Sequence, residues 1–438
     1  MRYLHIIASM DPRAGGPCQG IRNLTPHAVD LGHGVEVVCL DDPGSPFLAF
    51  DGFTIHALGR GRGAWRYHPD MQSWLEMNLP RFDAVILNGL WQYPGYVLSR
   101  LARRPKMPPY FVFPHGMLDP WFQRAPERRL KAIRNWFYWK LMEQHVICRA
   151  KAVFFTCAEE MRLAQDTFRP YEPQHQINVG YGVSLPPDFN EGMAAAFAKK
   201  CPGLNNRSYF LFLSRIHPKK GLDLLIKAYA AVCHQKSATG QSPEPSSPDA
   251  PDSPIPCLVI AGPGLETEYC REMQKLSADL LPSNSVFWPG MLTGDAKWGA
   301  LYHAEAFVLT SHQENFGIAV VEALACETPV LISNQINIWQ QIEDDHAGLV
   351  AADTLEGAAL LFRRWRDLSP QEKTMMRRAA KASYLNRFGI ASNARRLLAN
   401  LQELCKEKRV STQEVLPGLK YGRKTFPFAV RDKTSNSP

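Results

Sequence analysis

The chain has 438 residues, which is too long for one ordinary core and indicates two domains. Its 50 Lys and Arg residues against 42 Asp and Glu give a net charge of +8, which suits an anionic ligand or a membrane surface but falls short of a nucleic-acid footprint. The ten cysteines are scattered singly, without a CxxC pair, which favours a reduced, cytosolic compartment and no structural metal. Nowhere do about 18 uncharged apolar residues follow one another, so no membrane span is predicted.

The first half of the chain alternates short apolar runs with segments of helical period. The first run, "YLHIIAS", is followed by a glycine-rich turn and a helical stretch at 18–33. The predicted strands of this half are 3–9, 34–40, 83–89, 109–116 and 150–157. Short runs of this kind, separated by helices, indicate a parallel sheet covered on both faces.

The same alternation starts again after about residue 205. Further strands are predicted at 208–216, 256–264, 284–290, 304–311 and 329–333. The sequence therefore predicts an α/β protein with two doubly wound, Rossmann-like domains that face each other across a cleft. Ligands of such folds bind beyond the carboxyl ends of the strands, which is where functional residues are expected.

Two segments fall outside this alternation. Residues 236–256 contain six prolines and no aromatic residue, which predicts a disordered or polyproline-like surface insertion. The basic tail at 406–438 has no clear period and is expected outside the core. We accordingly divide the rest of the chain into an N-terminal domain at 1–190, a C-terminal domain at 191–385 and a last helix at 386–405.

The stretch "TSHQENFGIAVVEALACETPVLIS", residues 310–333, places the carboxylates of Glu314 and Glu322 between a predicted strand and an apolar helix. An acid inside an apolar pattern costs free energy unless it faces water or is paired. The N-terminus of that helix favours an anion; Asn315 is predicted to cap it, and Gly317 lets a ligand approach closely. Carboxylates suit sugar hydroxyls because each accepts several hydrogen bonds. The alternative interpretation is that Glu314 is an acid of the loop and Glu322 a solvent-facing residue of the helix, without a ligand.

A basic loop in "LSRIHPKKGLDLLIKAY", residues 213–229, also follows a strand and precedes a helix. Arg215 and Lys220 are predicted to project toward the cleft, where neighbouring cations stabilise a diphosphate. His217 and Lys219 are expected to face solvent. The alternative is a solvated basic loop without a ligand.

Two motifs of the first half lie at strand ends. In "SMDPRAGGPCQG", Gly15 and Gly16 offer backbone amides close to a helix N-terminus, a plausible phosphate contact. The motif is not GxGxxG, so a nicotinamide cofactor is not indicated. In "FPHGMLDPW", His115 ends a strand, where a buried, satisfied histidine is the default interpretation.

The E-x7-E pair followed by "EALACETPVLIS" resembles glycosyltransferase family 4, the retaining "group 1" nucleotide-sugar transferases of GT-B fold. The resemblance implies that Glu314 contacts hydroxyls of the donor sugar and that Glu322 holds the ribose. It also implies diphosphate or sugar contacts from the backbone of Asn315, Phe316, Gly317 and Ile318.

The other motifs resemble the same family position by position. Arg215 and Lys220 match its diphosphate clamp, which takes over the usual task of a metal. Gly15 and Gly16 match its glycine-rich loop. His115 matches the histidine near the transferred sugar, where a hydrogen bond to a hydroxyl is expected more than proton abstraction.

Weaker similarities extend these assignments. Gly262 and Gly264, in "LVIAGPGLETEY", resemble backbone contacts near the nucleotide. Asp119 and Trp121 are assigned to an acceptor pocket as a hypothesis only.

The sequence departs from the family at two positions. Tyr181 stands where the family often has Asn, and Glu327 where it often has Gly at a helix C-terminus. The family also implies that the last helix crosses back to the first domain.

The resemblance implies a retaining transferase that moves a sugar from a nucleotide-diphosphate sugar to a glycan or lipid-linked acceptor, in polysaccharide or glycolipid biosynthesis. The donor is a substrate, and neither a cofactor nor a metal is implied. Two alternatives remain: a GT-B nucleotide-sugar epimerase and a non-catalytic carbohydrate-binding scaffold.

A segment at 126–153 combines basic residues with four consecutive aromatic residues at 136–139. Such a helix can rest on anionic lipid headgroups, which would place a cytoplasmic protein at the inner face of the membrane. The alternative is a domain helix whose aromatic residues pack inward.

Overall fold

The computed structural model describes residues 1–49, 51–124, 129–238 and 255–406. Most of the predicted proline-rich insertion, at 239–254, and nearly all of the basic tail, at 407–438, lie outside these residues. No helix in the described part of the chain combines the length and apolar character needed to cross a membrane.

The first sheet has seven parallel strands in the order β3-β2-β1-β4-β5-β6-β7. The strands are Arg2–Ile7 (β1), Gly34–Cys39 (β2), Thr54–Ala57 (β3), Ala84–Asn88 (β4), Tyr110–Phe113 (β5), Ala152–Phe155 (β6) and Gln176–Asn178 (β7). The helices along this half are Gly16–Asp30 (α1), Asp70–Asn78 (α2), Tyr93–Leu101 (α3), Trp121–Arg124 (α4), Arg129–Tyr138 (α5), Gln144–Arg149 (α6) and Ala158–Ala164 (α7). A π-helical turn, Trp139–Glu143, joins α5 to α6.

The second sheet has six parallel strands in the order β10-β9-β8-β11-β12-β13. They are Tyr209–Leu213 (β8), Cys257–Ala261 (β9), Val286–Gly290 (β10), Ala306–Leu309 (β11), Val330–Ser333 (β12) and Gly348–Ala351 (β13). The helices are Glu191–Lys200 (α8), Leu222–Ala238 (α9), Glu268–Leu280 (α10), Gly294–His303 (α11), Ile318–Ala325 (α12), Trp339–Asp344 (α13), Leu355–Asp367 (α14), Pro370–Ser383 (α15) and Ile390–Lys406 (α16). A π-helical turn, Tyr384–Phe388, precedes α16.

The central strands are buried along their whole length, because helices cover both faces of each sheet. This burial explains why their sequences are continuous apolar runs instead of alternating ones. Pro289, which has no backbone N–H to donate, lies in β10. Because β10 is an edge strand, the proline removes no hydrogen bond between central strands. The predicted two-sheet α/β architecture is therefore confirmed.

Helix α16 belongs to the C-terminal end of the chain but packs on the first sheet. Its buried face shares one apolar cluster with residues of β1, β5 and β6; the members are Leu397, Leu398, Leu401 and Leu404 with Tyr3, Phe111 and Phe154. The segment that follows β7 is in turn bonded to the end of the second half, since Val183 N–H donates to the Phe388 carbonyl at 2.9 Å.

Two short strands of the first sheet, β3 and β7, were not predicted. Each has only three or four residues, lies at an edge of the first sheet and contains a single aliphatic branched residue, Ile55 or Ile177. A pattern this short carries no usable period, and the neighbouring strand supplies the pairing.

Candidate active site

Each sheet reverses its strand order once, between β1 and β4 in the first sheet and between β8 and β11 in the second. Open α/β sheets bind ligands at such switch points, beyond the carboxyl ends of the strands. The basic loop containing Lys220 follows β8, and Glu314 follows β11. Gly15 and Gly16 follow β1, and Asn88 ends β4. Lys220, Glu314, Gly15 and Gly16, which were predicted, thus lie at the two switch points, and Asn88 lies with them.

Lys220 and Glu314 form an ion pair between their side chains. The lysine side chain is 9% exposed and the glutamate side chain 23% exposed, so the pair lies largely out of water. Burial alone would raise the pKa of Glu314, but the charges of Lys220 and Lys219 outweigh it and hold this pKa below its ordinary value. Two residues predicted to hold different parts of a ligand are therefore each other's counter-ions.

Glu322 occupies the fifth position of α12 and is also paired with a lysine. Lys297, on α11, places its Nζ 2.9 Å from the Glu322 carboxylate. The same ammonium lies 3.8 Å from the centroid of the Trp298 ring, a cation–π contact. Lys297 was not identified from the sequence, because nothing in "GDAKWGALYH" marks it as facing an acid on the next helix.

The prediction that Asn315 caps α12 is wrong. The helix begins at Ile318 after Gly317, which has φ 78° and provides no side-chain cap. The Asn315 amide instead donates to Thr156 Oγ1 at 3.2 Å, in the other half of the molecule. Phe316 and Gly317 separate Asn315 from the helix, and the Asn315 side chain reaches across the cleft.

A buried carboxylate, Glu160, organises the receiving side of that contact. It accepts hydrogen bonds from the backbone amide of Gly116 at 2.6 Å and from the amide and hydroxyl of Thr156 at 2.8 and 2.6 Å. Burial raises the pKa of Glu160. A hydrogen-bonded chain thus runs from Glu160 through Thr156 to Asn315 and connects the two halves.

His115 lies just beyond β5, with φ 51°, and faces Asn88. The Asn88 amide nitrogen donates to the carbonyls of Ile6 and Ile86 at 3.3 and 3.2 Å, and to His5 Nδ1 at 3.1 Å. Carbonyl oxygens only accept hydrogen bonds, so this orientation turns Asn88 Oδ1 toward His115 Nε2, 3.1 Å away. His115 is therefore the tautomer protonated at Nε2, with Nδ1 left as the acceptor.

Burial lowers the pKa of His115 to about 3. The ring is accordingly neutral at physiological pH. It also stacks on Phe113, with ring centroids 4.8 Å apart. A neutral, oriented imidazole fits the predicted hydrogen bond to a hydroxyl better than a proton-transfer role at neutral pH.

The glycine-rich loop of the first half meets the start of α12 across the cleft. A Cβ on Gly16 would lie 3.5 Å from Ile318 Cδ1. Gly15 has φ 102°, a conformation that favours glycine. The loop and the helix N-terminus therefore bound the same space.

Gly262 and Gly264 pack on the backbone of the basic loop. A Cβ on Gly262 would overlap the Ser214 carbonyl group, and the Gly262 amide already donates to the Gly290 carbonyl at 2.9 Å. The close approach of two backbones thus accounts for a glycine at this position. A contact from these glycines to a nucleotide stays a prediction.

Lys219 does not simply face solvent, contrary to expectation. Its ammonium lies 5.2 Å from the centroid of the Trp121 ring and 4.8 Å from that of Phe122, both in the first half of the chain. Burial lowers the pKa of Lys219 to about 8. Arg215 and His217 are exposed, which agrees with the expectation for His217.

Asp119 is also part of a cross-cleft contact. Its carboxylate accepts from Gln313 Nε2 at 2.8 Å, and from the Trp121 amide at 2.8 Å. Asp119 and Gln313 are both buried. The residue that precedes Glu314 is thereby held against the first half of the molecule, and Asp119 is engaged before any acceptor arrives.

Both halves of the chain match known families of proteins. The family described as Glycosyl transferases group 1 matches residues 197–383, and that described as Glycosyl transferase 4-like domain matches residues 15–180. A D-inositol 3-phosphate glycosyltransferase from Frankia alni is 30% identical over 365 residues, which are 77% of this chain and 82% of the relative. A protein of the same name from Salinispora arenicola is 30% identical over 160 residues, but the match spans only 33% of its length.

Solved structures agree on the fold. A glycosyltransferase from Rickettsia africae superposes with a TM-score of 0.70 at 14% identity, covering 93% of this chain and 99% of the other. The Anabaena protein HepE, solved in complex with UDP and glucose, has a TM-score of 0.69 at 16% identity, with 92% and 100% coverage. With a relative that is 30% identical and covered over 82% of its length, these matches show that the chain belongs to the group 1 glycosyltransferases and has their GT-B fold.

Proposed function

We propose that this protein transfers a sugar from a nucleotide-diphosphate sugar to a glycan or lipid-linked acceptor, with retention of anomeric configuration and without a metal ion. The strongest support is that Lys220 and Glu314 meet at the switch point of the second sheet, opposite the Gly15–Gly16 loop. The structurally similar Anabaena protein HepE was solved with UDP-glucose, which supports a nucleotide sugar as the donor. A role in polysaccharide or glycolipid biosynthesis is part of this proposal.

In the proposed reaction, the bond between the anomeric carbon and the diphosphate oxygen breaks as the acceptor hydroxyl oxygen attacks from the same face. The acceptor proton passes to the leaving phosphate oxygen, so no carboxylate acts as nucleophile. Lys220 and Arg215 offset the charge that develops on the diphosphate, the task that a metal performs in other transferases. Lys220 would then shift from Glu314 toward the phosphate.

The freed Glu314 carboxylate would accept hydrogen bonds from donor-sugar hydroxyls. Neutral His115 would orient the same sugar through its Nδ1. Glu322, held by Lys297, would accept from the ribose hydroxyls. The backbone between Asn315 and Ile318 would approach the diphosphate.

Incubation of the purified protein with a panel of nucleotide-diphosphate sugars, with and without EDTA, tests the proposal. We expect one donor to be hydrolysed or transferred at equal rates in both conditions, with an α-linked donor giving an α-linked product by NMR. Inverted product or complete loss in EDTA would contradict the retaining or metal-independent part. Epimerised donor in the absence of acceptor would instead identify an epimerase. Glycan binding by calorimetry without nucleotide binding would identify a scaffold.

A basic, apolar surface on α5 supports a location at an anionic membrane. Its exposed apolar residues recur at helical spacing and continue into the π-helical turn; they are Leu130, Ile133, Trp136, Phe137 and Leu141. Arg129, Lys131 and Arg134 are exposed beside them. The second half of the aromatic run packs inward, since Trp139 is fully buried and Tyr138 is half-buried against Trp91. An outward apolar stripe flanked by cations matches the surface of an anionic bilayer.

Sedimentation with vesicles of phosphatidylcholine, with and without phosphatidylglycerol, tests this location. Binding should require the anionic lipid, weaken with salt and fall in Phe137→Glu. Met375→Glu, also at an exposed apolar residue but on α15, is the matched control. Equal binding by both variants, or none by the wild type, would contradict the membrane location.

A further inference from the structure

Tyr181 bridges the two halves of the molecule at the base of the cleft. Its hydroxyl donates to the Gly16 carbonyl oxygen at 2.6 Å. Its ring lies 4.9 Å from that of Phe316, centroid to centroid, at 53°. One buried side chain thus contacts both the glycine-rich loop and the loop between Glu314 and Glu322.

The sequence around Tyr181 is fitted to this position. A Cβ on Gly20, one turn after Gly16 in α1, would lie 2.7 Å from Tyr181 Cζ, so a glycine there makes room for the ring. A Cβ on Gly182 would lie 2.6 Å from Ile390 Cδ1, and one on Gly180 would overlap the Asn393 side chain. The backbone on both sides of Tyr181 is therefore pressed against α16, which fixes the direction of its side chain.

The hydroxyl and the ring act on different partners. Burial raises the pKa of Tyr181 well above its ordinary value, so the hydroxyl stays protonated and donates at any physiological pH. The ring belongs to an aromatic row, since Phe316 also contacts Phe388 at 5.8 Å. Phe388 is bonded through its carbonyl to Val183, two residues after Tyr181. The row ties the segment after β7 to the loop that carries Glu314.

We propose that Tyr181 is a positioning residue that sets the distance between the Gly15–Gly16 loop and the N-terminus of α12, and thereby the affinity for the donor. The inference rests on the proposed function in that it takes this loop as a donor contact. Tyr181 touches neither the diphosphate nor the sugar in this account. It acts through the Gly16 carbonyl and Phe316.

Tyr181→Phe removes the hydroxyl and keeps the ring, so it isolates the bond to Gly16. With the donor that the panel identifies, we expect the donor KM to rise about 3- to 10-fold, the usual effect of one lost neutral hydrogen bond, with kcat within about twofold. Tyr384→Phe is the matched control, because its hydroxyl donates to the Val183 carbonyl at 3.0 Å without touching the loop. It should leave the donor KM unchanged.

Hydrogen exchange gives a readout that needs no donor. The amides of Gly16, Cys18, Gln19 and Gly20 should exchange faster in Tyr181→Phe than in wild type or in Tyr384→Phe. Unchanged exchange in Tyr181→Phe overturns the inference and leaves the proposed function standing. The same holds if Tyr181→Phe leaves the donor KM unchanged while Gly16→Val raises it. If Gly16→Val also leaves the donor KM unchanged, the donor assignment of the loop fails and the inference fails with it.

A second pair of variants excludes a simple folding defect. Gly20→Ala should raise the donor KM in the wild type, because the new methyl group displaces the Tyr181 ring. In Tyr181→Asn, where the ring is absent, the same change should have no further effect. Equal effects of Gly20→Ala in both backgrounds overturn the coupling between the two residues.

Discussion

The two walls of the cleft are built on opposite principles. The wall from the second sheet, which we call the charged wall, consists of two ion pairs, Lys220 with Glu314 and Lys297 with Glu322. The wall from the first sheet, which we call the neutral wall, consists of oriented hydrogen-bonding groups without a free charge. Its members are His5, Asn88, His115 and Thr156, and the buried Glu160 carboxylate is hydrogen-bonded to Thr156 and to the Gly116 amide.

This difference suits the two ends of the proposed donor. A nucleotide diphosphate carries negative charge, so Lys220 can exchange Glu314 for it, and the freed carboxylate can then accept hydrogen bonds from sugar hydroxyls. A sugar is neutral and carries hydroxyls that need acceptors and donors in fixed directions. Substitutions of Lys220 or Glu314 should therefore change kcat by large factors, whereas those on the neutral wall should change how kcat depends on pH.

The largest effect is expected at the Lys220–Glu314 pair. Either Glu314→Gln or Lys220→Met should lower kcat about 10²- to 10³-fold, the usual cost of losing one group that stabilises developing charge. Glu322→Gln should instead act mainly on the donor KM, because ribose contacts are equal in the ground and transition states. Steady-state kinetics with the identified donor measures both constants.

The matched control for these variants is another partly buried ion pair. Glu305 and Lys373 lie 3.2 Å apart, with both side chains 27% exposed, away from the strand ends that form the cleft. Glu305→Gln and Lys373→Met should leave kcat within about twofold. Full turnover in both Glu314→Gln and Lys220→Met would refute the charged wall as the site of chemistry.

A smaller, pH-dependent effect is expected at Asn88. In the wild type the pKa of His115, about 3, keeps its titration out of the range from pH 5 to 9. Asn88→Asp places a carboxylate beside the ring and raises its pKa toward the ordinary value. The kcat should then fall about tenfold at one pH unit below that pKa, because the protonated ring loses its acceptor nitrogen.

The measurement is the pH profile of kcat from 5 to 9. Asn400→Asp, on α16, where the wild-type amide donates to the Arg396 carbonyl, should keep the wild-type profile. A wild-type acid limb near pH 6.5 that disappears in His115→Gln would show that His115 titrates freely, against this account.

The charged wall was largely accessible from the sequence, because its acids occur in one motif whose spacing indicates a strand end and a helix. The positions of Glu314 and Glu322 follow from that local pattern, as does the helix after Lys220. Their lysine partners do not follow from it. Lys220 and Glu314 are 94 residues apart, and their pairing depends on β8 lying next to β11.

Little of the neutral wall could be predicted from the sequence. The role of His115 was found only through a family resemblance. Asn88 fixes the tautomer of His115, but in the sequence it is simply the polar residue that ends an apolar strand. Asn315 was assigned to a helix cap because local bonding is the simplest use of such a residue. Its actual partner, Thr156, is 159 residues away, a distance that no local pattern spans. Glu327, however, has φ 59°, as expected where the family often has Gly.

A moderate effect on donor affinity is expected at Lys297. Lys297→Met removes the partner that orients Glu322 and should raise the donor KM about 2- to 5-fold, in line with a partly exposed ion pair. The kcat should not change. Lys297→Arg keeps the charge and should restore most of the affinity, whereas a loss of kcat in Lys297→Met would place this lysine in the chemistry instead.

The smallest effect concerns the free energy of unfolding. Its pH dependence should differ between His5 on the neutral wall and Glu314 on the charged wall. Burial lowers the pKa of His5 to about 3. Between pH 3 and 6.5 the unfolded chain therefore binds more protons than the folded one, and the free energy of unfolding falls as pH falls, by about 1.4 kcal/mol per unit for one histidine. Glu314 has a lowered pKa, so its contribution is present above about pH 4.5 and is lost only below it.

Urea unfolding at pH 7, 6 and 5 tests this separation. The midpoint should drop across this range in the wild type and drop less in His5→Gln, which cannot take up the proton. Glu314→Gln should keep the wild-type slope, because its carboxylate titrates at lower pH. If His5→Gln and the wild type lose stability in parallel, His5 is already charged in the folded protein. The neutral wall would then need a counter-ion, and the contrast with the charged wall would be lost.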